Sequence, residues 1–140
     1  MRKFIQILVR ILAVSALSFG MANVGVAAET AASAVPFPAI VETYIKAWEV
    51  FDGEAVAATI GADGTYIDLF NKRGIRGERL VAYVLSRKGS KLTTESRTYT
   101  EDGKPNQRWN FYDGSGNLVV SGNSIYTVVD GKLTQVNASW

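Results

Sequence analysis

Thr65-Tyr66-Ile67-Asp68-Leu69-Phe70 decides how this chain is read. β-branched and aromatic residues fill the run, so it reads as a strand. Aspartate is disfavoured in strands, so Asp68 needs a partner or a task. By the period of two, Tyr66 and Asp68 lie on one face. Upstream, Gly61-Ala62-Asp63-Gly64 is turn chemistry. Residues 54–60 before it read as a short helix, and Asp52-Gly53 separates that helix from a longer one. In the longer one Ile40, Tyr44, Ala47, Trp48 and Phe51 recur at steps of three and four residues. Downstream, residues 71–77 carry two glycines and three basic residues and read as a loop or an irregular hairpin. Residues 78–88 form a third helix that buries Leu80, Val81, Val84 and Leu85.

The rest is strand and turn. Residues 92–100 are Thr-rich, and residues 107–112 alternate, with Trp109 and Phe111 on one side. Residues 118–129 form the longest strand, and Asp130-Gly131 is a two-residue hairpin signal that folds 132–140 back. Helices gathered before antiparallel strands mean an α+β fold. Such a sheet twists. Three helices laid across its concave side leave a pocket where they do not meet.

The N-terminus has a different composition. Met1-Arg2-Lys3 and Arg10 precede an uncharged run from 11 to 28 that ends Val26-Ala27-Ala28, the layout of a secretory signal peptide. A second cut follows Ala32-Ser33-Ala34, and an uncleaved membrane anchor is the alternative. The expected organisation is a signal peptide over 1–28, a flexible Ala- and Pro-containing lead-in over 29–38, and one domain over 39–140. Export follows, to the periplasm or the medium, with no stable membrane anchoring after cleavage. The whole chain carries 15 Lys and Arg against 13 Asp and Glu. Residues 1–28 hold three of the basic residues and no acid, so the remainder has 12 against 13 and a net charge of −1. That balance offers no basic patch to a nucleic acid. There is no Cys and no His, which removes disulfides, the commonest zinc ligand and the commonest general base. No metal or cofactor site is expected, and Gly114-Ser115-Gly116 is a hairpin loop, since no helix follows it.

The stretch from Tyr44-Ile45 through Asp52-Gly53-Glu54-Ala55, the Thr65–Phe70 run and Ile75-Arg76-Gly77-Glu78 resembles bacterial ketosteroid isomerase without a gap. The likeness resumes at Asp130-Gly131-Lys132-Leu133 and Trp140. It extends to the nuclear transport factor two-like superfamily and its SnoaL-like members. The resemblance implies a cone of three N-terminal helices on a curved, mainly antiparallel sheet. It also implies three roles: Tyr44 as an oxyanion donor, Asp68 as a general base, and Asn123 where the isomerase has a protonated aspartate. An amide can donate a hydrogen bond there but is not an acid. A two-residue shift would put Ile125 there instead. The implied pocket is walled by Trp48, Tyr66, Phe70, Val136, Ala138 and Trp140.

Each of these residues also has a structural reading. Tyr44 lies on the apolar face of its helix. Asp68 would be half of an ion pair with Arg76 or Arg97. Asn123 would satisfy a bulge after Gly122. Trp48, Trp109 and Phe111 are core or pocket wall. Arg97, Tyr99, Arg108, Asn110 and Tyr112 are expected on the outer face of the sheet, where they would join a homodimer. Two functions remain. One is a cofactor-free, isomerase- or cyclase-type enzyme moving a proton next to a carbonyl on a hydrophobic ring compound, with the Asp68 pKa raised by burial. The other is a non-catalytic domain that binds a small hydrophobic ligand in the same pocket.

Overall fold

The computed structural model describes residues 35–140, and the leader assigned to 1–28 lies outside the described residues. Helix α1 spans Ala39–Glu49 and buries Val41, Tyr44, Ile45 and Ala47. Of the residues whose spacing marks it in the sequence, Tyr44 and Ala47 are buried within it, Ile40 and Trp48 are half-buried, and Phe51 lies beyond its end. Helix α2, Gly53–Ile60, starts where the Asp52 side chain accepts the Ala55 N–H at 3.0 Å, a good N-cap. Helix α3, Gly77–Leu85, buries Leu80 and Val84. Each such aliphatic side chain contributes roughly 1.5–3 kcal/mol on leaving water.

Strands β1 (Thr65–Asp68), β2 (Arg73–Ile75), β3 (Lys91–Tyr99), β4 (Pro105–Tyr112), β5 (Leu118–Val129) and β6 (Lys132–Ser139) form one sheet in the order β2-β1-β6-β5-β4-β3. Only β1 and β6 pair in parallel, with Tyr66 opposite Val136 and Asp68 opposite Ala138. The architecture is therefore α+β, with three helices on a mainly antiparallel sheet. Helices α1 and α2 lie against β6, and α3 packs on α2. Asp130 and Gly131 both take positive φ, 50° and 73°, which fits the right-handed twist of the β5–β6 hairpin.

Three expectations need correction. The first strand ends at Asp68, not Phe70, and residues 73–75 return beside it as a short strand. Arg97 and Tyr99 do not lie on the outer face. The β3–β4 register shifts between Thr94 and Ser96, which inverts the alternation of every later residue. Arg97 then pairs with Glu42 of α1 at 2.5 Å, and Tyr99 packs on Phe37 and donates to the Pro36 carbonyl. Gly122 marks no bulge. The irregularities of β5 fall opposite Phe111/Tyr112 and at Thr127/Val128. A Cβ on Gly122 would sit 2.4 Å from the Trp109 ring and 2.5 Å from the Ser139 carbonyl oxygen. Glycine is there because the indole lies across it.

Candidate functional site

A cavity of about 290 Å³ opens over the part of the sheet that the helices leave uncovered. Its walls carry eight aromatic side chains: Tyr44, Trp48, Tyr66, Tyr83, Trp109, Phe111, Tyr126 and Trp140. Seven of them touch in three separate groups. Trp48 meets Tyr66 and Tyr83 with ring centroids 6.0 Å apart in each pair, Tyr44 meets Tyr126 at 5.7 Å, and Trp109 meets Trp140 at 6.2 Å. Aromatic edges and faces offer large apolar area at low entropic cost. Val119 and Val120 are successive residues yet both line the cavity. The register shift on β5 between its Phe111 and Tyr112 partners allows that.

Few polar groups reach this space, and most are already engaged. Tyr126 donates to Gln107 Oε1, Gln107 Nε2 donates to Thr94 Oγ1 at 2.8 Å, and Trp109 Nε1 donates to Ser124 Oγ at 3.0 Å. The Tyr44 hydroxyl is different. It is buried without a hydrogen-bond partner, the Trp48 side chain lying near it without bonding geometry. Burial raises its pKa well above the ordinary value, and the neighbouring Tyr126 adds to the rise. Tyr66 and Tyr126 are raised too, first by burial. All three are neutral donors at ordinary pH, not bases.

Asp68 is fully buried, but it does not line the cavity. Its Oδ1 accepts the Asn71 N–H at 2.9 Å, and its Oδ2 accepts Asn71 Nδ2 at 2.6 Å and lies 3.4 Å from Arg73 Nε. Burial pushes its pKa up, but the Asn71 side chain, the Asn71 backbone and Arg73 outweigh burial and hold the carboxyl below its usual value. The expected upward shift is corrected: burial is the largest single influence, but the Asn71 and Arg73 donors around the carboxyl together outweigh it. The ion-pair partner is Arg73, neither Arg76 nor Arg97.

Tyr44, Trp48, Tyr66 and Trp140 thus come together at one cavity. Asn123 does not join them. It is exposed and lies with Arg108 and Ser121 in a polar recess that shares only Trp140 with the cavity, because Ser124 and Tyr126 take the inward positions. Ile125 shares the parity of Asn123 and does not line the cavity. Phe70 sits in the turn after β1, 67% exposed and stacked on Trp140. Val136 and Ala138 are fully buried in the core and do not line the cavity. The residues missed from the sequence are Tyr83, Arg87, Gln107 and Tyr126. Tyr83 and Arg87 did carry a signal, since four residues apart near a helix end an aromatic and a cation meet. Among the described residues no group of three or more His, Cys, Asp or Glu is placed to hold a metal ion. Among them, too, no helix is long and apolar enough to cross a membrane.

Solved structures share this arrangement of helices and sheet. One is a hypothetical protein with a ketosteroid isomerase-like fold from Catenulispora acidiphila, in complex with trimethylamine. It aligns with a TM-score of 0.60 at 17% identity, over 75% of this chain and 87% of that one. A candidate ketosteroid isomerase from Kribbella flavida aligns at 0.61 and 21%, over 74% and 76%. A candidate polyketide cyclase from Sinorhizobium meliloti aligns at 0.58 and 20%, over 74% and 95%. The chain has the nuclear transport factor two-like fold. At such identities the likeness carries the fold of this nuclear transport factor two-like domain and not an activity. No family model and no curated protein matches the sequence.

Proposed function

We propose that this chain is an exported small-molecule-binding domain whose cavity holds an apolar ring compound with one polar atom turned to Tyr44. The observation that carries this reading is the lining: eight aromatic side chains, no acid, and one buried hydroxyl without a partner. Ligand sites are commonly apolar hollows with a few placed polar groups. A buried unpaired hydroxyl costs about 1–3 kcal/mol, and a ligand acceptor would remove that cost. The neighbour crystallised with trimethylamine supports small-molecule binding in this fold. The composition of residues 1–28 supports export. Pairing of two copies through the outer face of the sheet is supported by Arg108, Asn110 and Tyr112, which alternate with the cavity residues Trp109 and Phe111.

The rival reading is a proton-transfer enzyme of isomerase or cyclase type. Tyr44 favours it, as a neutral donor suited to an enolate oxygen, and so do the kinds of protein that share the fold. It lacks a base on the cavity wall, because Asp68 is engaged by Asn71 and Arg73. All three tryptophans of the chain line the cavity, so their fluorescence reports its occupancy. Titration with a cyclic ketone should quench or shift that emission, and Tyr44→Phe should weaken binding several-fold through the lost hydrogen bond. A β,γ-unsaturated cyclic ketone should bind without gaining the absorbance of its conjugated isomer. Turnover that Asp68→Asn abolishes in a folded protein would overturn the binding reading in favour of the enzyme.

A further inference from the structure

We infer that the cavity selects an anion: an apolar ring compound with a carboxylate at its mouth, held by Arg87. This rests on the binding reading above and names the ligand class. Arg87 follows the C-terminus of α3 and, among the described residues, is the only charged one in the lining. Its guanidinium lies 5.2 Å from the ring centre of Tyr83 on α3 and 6.0 Å from that of Phe111 on β4. It therefore bridges the helix side and the sheet side of the mouth. Stacking on two rings restrains a long side chain that would otherwise lose freedom on binding a ligand.

Among the described residues no carboxylate lies within ion-pair distance of Arg87. The nearby Arg73 also lies over Tyr83, at 5.9 Å, but its charge is matched by Asp68. One guanidinium is thus neutralised by its own chain, and the one at the cavity is left for a ligand. A carboxylate meets its planar fork with two parallel hydrogen bonds. The opposite charge fares badly. Aromatic walls alone would attract an ammonium ion, but an unmatched Arg at the mouth repels one. Selectivity here differs from that expected for trimethylamine, the ligand of the Catenulispora acidiphila neighbour.

The test uses three ligands of one shape and different charge: cyclohexylpropionate, cyclohexylpropionamide and cyclohexylpropylamine, titrated by tryptophan fluorescence at neutral pH. The carboxylate should bind about tenfold tighter than the amide, since a charge-assisted bond at a half-open mouth is screened by solvent. The amine should bind weakest, and added salt should shrink the carboxylate's advantage. Arg87→Gln should bring the carboxylate level with the amide. Arg73→Gln, outside the lining, should leave the preference intact. Equal binding of amide and carboxylate, tightest binding of the amine, or a preference that survives Arg87→Gln would each overturn the anion inference and leave the binding reading standing. Binding of none of the three would overturn the anion inference, and failure of the cyclic ketone to bind as well would overturn the binding reading.

Discussion

Asp68 Oδ1 faces the backbone N–H of Asn71, and its Oδ2 faces the amide of the same residue and the guanidinium of Arg73. The arrangement is a turn closed by its own aspartate, whose side chain accepts the N–H three residues on, just after β1. Its folded pKa is depressed, so the charged form is the one the fold prefers. The contribution to stability is therefore fully present above the unfolded value, about 3.9, and is lost as pH falls through the folded value. Asp68→Asn keeps the shape but surrenders the charge and one acceptor. It should lower stability by about 1–3 kcal/mol in urea unfolding at neutral pH. The difference from wild type should shrink below about pH 4, where Asp68 of the unfolded chain takes up its proton before the folded carboxyl does. A loss of the same size at pH 2 and pH 7 would mean that packing, not charge, is what Asp68 supplies. That Asp68 sits in a strand was legible, because aspartate in a β-rich run is conspicuous. Its partner was less so. Asn71 three residues later was the local signal, but the two arginines considered were 76 and 97, whereas the hairpin puts Arg73 opposite Asp68.

At the scale of the element, regular periodicity was readable and its interruptions were not. Helix α1 announces itself because the residues it buries repeat at its own pitch. The β5–β6 hairpin announces itself because Asp130-Gly131 supplies the two positive φ values that the turn needs. The shift in β3 near Glu95 has no such marker. It depends on how the partner strand is fitted across the whole sheet, and its effect is to turn Arg97 and Tyr99 toward the helices. A two-residue alternation counted through that point gives the wrong face for everything after it. Gly122 is the reverse case, a conspicuous glycine whose reason lies in a neighbouring strand. Replacing it with alanine would drive the Trp109 ring off β5, with Ser139 backbone on the other side leaving no room to yield. Gly122→Ala should cost about 1–3 kcal/mol as overpacking. It should also change tryptophan emission, because the Trp109–Ser124 hydrogen bond of 3.0 Å would break. Unchanged emission with unchanged stability would show that the added methyl group fits without displacing the indole.

Across the whole molecule the sheet has two unlike sides. Helices α1 and α2 lie against β6 on the inner side, and the cavity opens beyond them over β4 and β5. A pocket left by unequal helix cover was foreseeable from three helices and a twisted sheet, but its location depended on the parallel β1–β6 pairing, which no local pattern announces. The outer side is polar and partly self-satisfied. Arg108 bonds Glu95 at 3.0 Å, and Ser121 donates to Asn110 at 2.6 Å. Groups already paired within one copy have little to gain from a second, so association through this face would be weak and wet. With Arg97 and Tyr99 turned inward, the face has also lost two of the residues that would have anchored it. Native mass spectrometry of the protein recovered from its host tests both whole-molecule proposals at once. The chain should begin at Glu29 or at Val35, and a dimer should form a fraction that grows with concentration and falls away on dilution. A cytosolic species that retains Met1 would end the export proposal. A monomer at the highest concentrations, in protein that still binds a ring compound, would end the pairing proposal and show that the cavity works in a single copy.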